Sequence, residues 1–336
     1  MKALVCEEFG PPESLKLKEC PDPEPQPGDV RIRIAACGLN FPDLLMIEDK
    51  YQFKPGLPFI PGGEVAGVVD MLGKGVDSVE IGQPVVAVTR TGGFAEYVTC
   101  PASRVLPFAA KIDLNQAAAL VFAHGTSLHA LQDRAAIKPG ETLLVMGAAG
   151  GVGLAAVELG NILGARVIAA ASSQEKCDLA RHMGASETVV YPAGALDRSA
   201  QKAFSDQIKS LTGGSGVDVI YDPVGGDYTE PAVRALAWGG RYLVIGFAAG
   251  PIPALPLNLV LLKQCQIIGV FWGAWADRNP EQNRGNIETL MSWVVSGRIK
   301  HHVSAVYSLE EGTKALRKMA DRSVTGKVLV APAGDG

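Results

Sequence analysis

Cysteine is scarce in this 336-residue chain, and its six (Cys6, Cys20, Cys37, Cys100, Cys177, Cys265) are scattered with no close pair. That spacing excludes a disulfide framework or a C-x-x-C metal cluster and fits free thiols in a reducing compartment. Strong charge of either sign is also missing. The formal net charge is −4, the pI is about 5.8, and no long basic stripe is present, which argues against an electrostatic grip on nucleic acid or anionic lipid. Small-molecule partners are therefore expected, with no nucleic acid and no membrane. The opening MKALVCEEFG reaches two glutamates after a short apolar run and lacks the basic region and apolar core of a secretory signal, so a cytoplasmic location is expected. One uncharged run, Tyr242 to Leu262, is long enough to span a bilayer. Gly246, Gly250, Pro251, Pro253 and Pro256 would break a lipid-exposed helix there, and the run reads as a strand, a turn and a short helix.

With 47% hydrophobic and 20% charged residues, the chain can fill two cores rather than one. Up to about residue 110 it has the texture of short strands divided by glycine and proline. VRIRI (Val30 to Ile34) alternates apolar and basic residues, the period of a half-buried strand, and VAGVV, PVVAV and FAEYV behave similarly. PDPEPQPG (Pro21 to Gly28) can be neither helix nor central strand and reads as an extended surface linker. From Glu141 onward strands (TLLVMG, ARVIAAA, ETVVY, VDVIYD, GRYLVIG, CQIIGV) alternate with helical segments such as EKCDLARHMGA. That alternation implies right-handed crossovers and a mostly parallel sheet covered on both faces. After about residue 271, helices near NIETLMSWVVSG and LEEGTKALRKMA and a strand GKVLVAP are too few for a domain and are expected to return to the first one.

The passage LLVMGAAGGVGLAAVELG, Leu143 to Gly160, breaks a buried strand into small residues and then opens a helix. Gly147, Gly150 and Gly153, with Gly151 between them, leave the backbone amides and the helix dipole free to face a pyrophosphate that side chains would push away. Close packing of a helix on a sheet is the plainer account of such glycines. The strand before, the helix after and a second strand from near Arg166 supply the context that dinucleotide binding demands. The second strand ends AAASSQEK, with no carboxylate at its tip to hold a ribose 2′-hydroxyl. Ser172, Ser173 and Lys176 could hold a 2′-phosphate instead, which favours NADPH over NADH, although an ordinary polar turn would read the same and Glu175 is nearby.

The chain resembles the zinc-free quinone oxidoreductase branch, the zeta-crystallin type, of the medium-chain dehydrogenase/reductase superfamily. The resemblance runs along essentially its whole length and rests on GETLLVMGAAGGVG, CGLNFPDLL, PFIPGGEVAGVV, DPVGG and TGKVLV. One departure is Glu158, where the family usually has glutamine. The resemblance implies an α/β fold, a Rossmann doubly wound parallel sheet plus a mainly-β GroES-like catalytic domain. The corresponding division is 1–122 catalytic, 123–271 NADPH-binding and 272–336 returning to the catalytic domain. Zinc-dependent relatives place a cysteine ligand in a G-x-C-x-x-D segment and a histidine in a G-H-E segment. Here those slots read GLNFPD, with Asn40, and GGE, with Gly63. Neither can supply the thiolate or imidazole that zinc prefers, and no lobe for structural zinc interrupts VVAVTRTGGFAEYV, so no metal is expected. Adjacent His301 and His302 would point to opposite faces of a strand and are expected to be solvated; His124 and His129 read as buried, hydrogen-bonded histidines.

A zinc-free site needs an acceptor that is already electrophilic: a quinone, or a conjugated enal, enone or enoyl thioester. The leading expectation is an NADPH-dependent quinone reductase. Its alternatives are a reductase of conjugated C=C bonds and a non-catalytic crystallin-like or RNA-binding protein. Asn40 and Tyr51 are the candidates for hydrogen bonding to the substrate oxygen, with a turn-forming amide and a loop aromatic as the plainer accounts. The resemblance further implies cofactor contacts at Asn40, Thr126, Gly147, Ala148, Gly150, Gly151, Val152, Gly153, Ser172, Ser173, Lys176, Tyr191, Gly225, Gly246, Phe247, Phe271, Gly273 and Arg322. It also implies a homodimer through the edge strand CQIIGVF.

Overall fold

In a computed structural model, which describes residues 1–332 except 109, 110, 193 and 195, the chain forms two compact units. One holds residues 1–122, 291–295 and 301–336; the other holds 123–290 and 296–300.

The first unit is built on a seven-stranded sheet. Its long central strand Asp29–Gly38 buries alternate residues through the VRIRI segment and pairs antiparallel with Glu64–Leu72 and Tyr97–Pro101. Pro84–Val88 extends the sheet beyond Glu64–Leu72. From the C-terminal part of the chain, Lys327–Ala331 pairs with Asp29–Gly38, and Val303–Ser308 lies outside it. Of FAEYV only Tyr97 and Val98 lie in the named strand; Ala95 forms an isolated bridge to Ala3. The core gathers Ile32, Ile34, Leu44, Ile47, Val65, Val85, Phe94 and Val330. Residues 21–28 are irregular, as five prolines and glycines among eight residues require.

The second unit is a six-stranded parallel sheet. Its order is Glu187–Val190, Arg166–Ala171, Thr142–Val145, Val217–Asp222, Leu236–Val244 and Gln266–Gly269. The first strand in sequence is central and the order reverses beside it, so the switch point falls between Thr142–Val145 and Val217–Asp222, where doubly wound folds bind ligands. Strands buried on both faces need near-continuous apolar runs, and Leu143, Leu144, Val145, Val167, Ile168 and Ile220 are fully buried.

Three expectations are corrected. Residues 272–290 do not return to the first domain. Trp272 is buried and donates from Nε1 to Asn283 Oδ1 at 3.1 Å, and Asn286 donates to Asp133, so this segment packs within the second unit. The fifth parallel strand begins at Leu236 rather than Gly240, its start hidden in the sequence by Gly239 and Gly240. His301 and His302 precede the strand Val303–Ser308 and are partly buried, His301 with φ of 50°. Among the described residues no helix is long and apolar enough to cross a membrane; residues 242–262 form a strand end, turns and part of the helix Leu257–Lys263.

Candidate functional site

In the second unit the glycine loop connects Thr142–Val145 to the helix Gly151–Ile162. Gly147 has φ of 58°, and a side chain on Gly153 would begin 2.2 Å from the Gly147 carbonyl oxygen. Only glycine fits there. The loop closes through Gly150 N to Gly147 O at 3.0 Å, and Ala148 N donates to Ala170 O of the second strand at 3.0 Å. No side chain caps the helix at Gly150, so the first amides, from Gly151, Val152 and Gly153, face outward for an anion.

Behind the loop stands Tyr191, 7% exposed, its ring 4.7 Å from that of Tyr228. Burial raises its phenol above the ordinary tyrosine range. At the tip of the second strand Ser173 caps the helix Gln174–His182 by accepting from Lys176 N, and Lys176 Nζ lies 3.4 Å from Ser172 Oγ. These two hydroxyls and one ammonium cluster beyond a strand whose last residue is Ala171, with Glu175 in the first turn of the helix that follows.

The turns after the next strands complete this rim. Gly225 has φ of 68°, and a side chain on it would meet the Phe247 ring at 2.9 Å. Gly246 precedes Phe247, which is half-buried; Phe271 is exposed, and nothing crowds Gly273. Thr126 is buried on the helix Val121–Leu128, beside Ser127, whose hydroxyl donates to Val152 O at 3.1 Å. His124 Nε2 is 3.0 Å from Glu158 Oε2, and Glu158 Oε1 accepts from Lys300 N at 2.6 Å, which gives the glutamate at this position its structural use. His129 pairs through Nδ1 with Asp133 at 2.9 Å and stacks on Trp275.

In the first unit the segment GLNFPD turns into the helix Phe41–Ile47, where Asp43 Oδ2 accepts from Asn40 N at 2.8 Å and Asp43 N donates to the Asn40 backbone oxygen at 3.0 Å. Asn40 is 7% exposed. Its amide donates to Gly38 O and Glu64 Oε2, both at 3.0 Å, and its Oδ1 accepts from Lys327 Nζ at 2.8 Å. Both amide hydrogens are engaged, so the expected donation from Asn40 to a substrate oxygen has no hydrogen left to make it. Lys327 Nζ completes its three bonds with Leu39 O at 3.1 Å and Glu64 Oε2 at 2.9 Å, and Glu64 Oε1 accepts from Phe122 N at 2.6 Å. A side chain on Gly63 would begin 3.0 Å from the Arg90 carbonyl oxygen. The two ligand slots of zinc-dependent relatives thus hold an amide bonded to an internal lysine and a bare backbone, a donor set without zinc chemistry.

Asp43 lies in this cluster at 1% exposure. Burial pushes its carboxyl up to about 7, against backbone hydrogen bonds from Asn40 and Gly62 and the charge of Lys327. Tyr51 is half-buried against the core; burial first, and Asp43 second, raise its phenol above the usual range. Burial likewise keeps the Cys37 thiol protonated. Arg322 is exposed in the turn after the helix Gly312–Ala320, with φ of 55°. Sequence reasoning missed Asp43, Glu64 and Lys327. Asp43 and Glu64 stand inside quoted motifs and could have been weighed as buried carboxylates, whereas no local signal points to Lys327.

Residues 26–110 match the alcohol dehydrogenase GroES-like domain family and residues 151–294 the zinc-binding dehydrogenase family. The bovine quinone oxidoreductase-like protein 2 is 38% identical over 331 residues, 98% of this chain and 92% of that protein. The chain belongs to the zinc-free quinone oxidoreductase branch of the medium-chain dehydrogenase/reductase superfamily. Solved structures similar to this branch member include a mycobacterial protein complexed with NADPH, at TM-score 0.92 and 29% identity, covering 99% of this chain and 100% of that one. The Escherichia coli quinone oxidoreductase complexed with NADPH matches at TM-score 0.90 and 27% identity, with the same coverage. The fold is accordingly a GroES-like domain plus a Rossmann-like parallel sheet.

Proposed function

We propose that the chain is an NADPH-dependent, zinc-independent oxidoreductase that reduces quinones by hydride transfer. The observation that carries this reading is the pairing of an open glycine cradle and a carboxylate-free strand tip in one unit with metal slots in the other that hold no zinc donor. The cradle fits the dinucleotide: a Cβ at Gly153 would fill the space that the loop backbone occupies, and the uncapped helix amides suit a pyrophosphate. NADPH, when bound, supplies the hydride.

The residues of this chain then have separate tasks. Gly147 to Gly153 present amides to the pyrophosphate, Ser172, Ser173 and Lys176 hold the 2′-phosphate, and Gly225, Gly246 and Phe247 border the remainder. Arg322, Thr126, Phe271 and Gly273 keep the contacts that the family implies. Asn40 acts by ordering the start of the helix Phe41–Ile47. Tyr51, a half-buried phenol at the edge of the first unit's core, is the candidate proton donor for a second reading in which the acceptor is a conjugated enal, enone or enoyl thioester that must be protonated at carbon. Edge pairing of Gln266–Gly269 with a second copy, in a homodimer, belongs to the same proposal.

The test is an NADPH-oxidation panel of several quinones, 2-enals and enoyl thioesters, with zinc measured by elemental analysis. Quinone turnover without stoichiometric zinc, unchanged by a chelator, is expected. Activity abolished by chelation and restored by zinc overturns the metal-independent reading, and turnover of enals alone replaces quinone with the second reading.

A further inference from the structure

The turns around the glycine loop converge on one buried polar group that the family motif alone does not assign. Asp222 ends its strand at 1% exposure. Its Oδ1 accepts from Val224 N at 2.7 Å and Gly225 N at 3.0 Å, and its Oδ2 accepts from the Tyr242 hydroxyl. The Tyr242 oxygen also lies 3.1 Å from Thr229 Oγ1. Tyr242 and Thr229 are 3% and 4% exposed, so no water competes freely for these bonds.

That network fixes an awkward piece of backbone. Gly225 and Gly226 both have positive φ, 68° and 61°, and the two amides bonded to Asp222 are those that begin the turn. The turn is laced to its neighbour through Ala248 N to Pro223 O at 3.0 Å and Ala249 N to Val224 O at 2.8 Å, while Ile245 N donates to Asp222 O at 3.0 Å. In the other direction Val224 closes over the loop: its Cγ2 lies 2.9 Å from where a Gly147 side chain would begin. Three turns of the nucleotide rim, at 147, 225 and 247, therefore share one anchor.

We propose that Asp222 and Tyr242 are positioning residues for the dinucleotide, with Thr229 as their third member. The proposal rests on the NADPH reading of this rim and concerns which residues hold it in shape. The role is one of geometry rather than charge. An asparagine at 222 keeps Oδ1 for the two amides, and its nitrogen can donate to the Tyr242 oxygen while Tyr242 turns its hydrogen to Thr229 Oγ1. An alanine leaves both amides without a side-chain acceptor and the phenol with Thr229 alone.

The experiment is a fluorescence titration of the purified full chain with NADPH, with steady-state kinetics and thermal midpoints measured on the same preparations. Tyr242→Phe and Asp222→Ala are expected to weaken NADPH binding about 10-fold, as loss of a buried hydrogen-bond partner implies, with the KM for quinone within about twofold of wild type. Asp222→Asn is expected to recover most of the affinity that Asp222→Ala loses. Unchanged NADPH affinity in Tyr242→Phe overturns the proposal, and so does an asparagine variant as weak as the alanine one, because charge would then be the operative property. If Tyr242→Phe does not fold, Asp222→Asn and Asp222→Ala carry the test: stronger NADPH binding by the asparagine variant supports the proposal, and equal binding by the two overturns it. Wild-type protein that binds no NADPH overturns the functional reading and this one together, whereas wild-type binding with indifferent variants overturns this one alone.

Discussion

Lys327 Nζ lies 2.9 Å from Glu64 Oε2, with side chains 7% and 1% exposed, so that a strand near the end of the chain is fastened to the strand that follows a former metal slot. Removing one partner of such a pair leaves an uncompensated buried charge and costs roughly 3–5 kcal/mol. Lys327→Met should lose stability of that order in urea unfolding. A loss below about 1 kcal/mol would show that the ammonium contributes little, as most exposed ion pairs do.

The pH dependence of stability should carry the signature of Asp43. Its carboxyl is raised from 3.8 to about 7 by burial, so the folded protein favours the protonated form. Its contribution to stability is present below about pH 4 and is lost as the pH rises through about 7. Asp43→Asn cannot titrate, and its stability relative to wild type should climb between pH 4 and 7 and then level off. Urea midpoints at a series of pH values provide the check, and parallel profiles would count against a perturbed carboxyl. The fixed offset from facing an amide toward Asn40 N cancels in the slope.

Cofactor choice should follow Lys176. Its ammonium sits beside Ser172 at the tip of a strand that ends in alanine. Lys176→Met is expected to weaken NADPH binding on the order of 10-fold, since 1.4 kcal/mol corresponds to that factor, and to leave NADH binding within about twofold. Equal losses for both nucleotides would place the 2′-phosphate elsewhere.

Tyr51 separates the two acceptor classes. Hydride addition to a quinone leaves an oxygen that water protonates readily, whereas addition to an enal or enoyl thioester leaves an enolate that must receive a proton at carbon. Tyr51→Phe keeps the ring and deletes the hydroxyl. Near-normal quinone turnover is expected, with any enal or enoyl reduction falling roughly 10²- to 10⁴-fold. Loss of both activities would assign Tyr51 to orienting acceptors in general, and loss of neither would leave it a packing residue.

Among the described residues the outer strand Gln266–Gly269 has no further partner in its sheet. Ile267, Leu257, Leu261 and Leu262 are all exposed, Leu261 at 79%. An apolar edge of this kind invites pairing with another chain. Light scattering at micromolar concentration should give a dimer mass, and Ile267→Lys combined with Leu261→Lys should shift it to the monomer. A wild-type monomer mass would reject the arrangement.

Local pattern made much of this molecule legible. Alternation over VRIRI and the apolar runs of the second unit each report one strand, and the glycines at 147, 150 and 153 report a turn whose geometry depends on neighbours a few residues away. The polar cluster around Asn40 was illegible for the opposite reason. Its lysine is 287 residues distant and its glutamate 24, so the bonds that commit the Asn40 amide exist only in the folded sheet. The segment 272–290 shows a third limit: helical periodicity reveals that a face is apolar, not which core receives it, and Trp272 and Ile287 chose the second unit. Asp222 was visible in DPVGG, but its tie to Tyr242 depends on two strands lying side by side.

Glu158 also dictates where a hydrogen atom sits. One of its oxygens is taken by the Lys300 amide and the other faces His124 Nε2. A carboxylate oxygen accepts, so the Nε2 that faces it is the nitrogen that donates. A glutamine at 158 that kept its oxygen on Lys300 would present an NH₂ group to the ring and require the opposite tautomer, with the proton on Nδ1. Exchanging these two side chains, nearly identical in shape, would relocate a proton inside the helix that carries Thr126 while leaving the backbone unmoved. Nitrogen-15 shifts of the His124 ring would reveal the change.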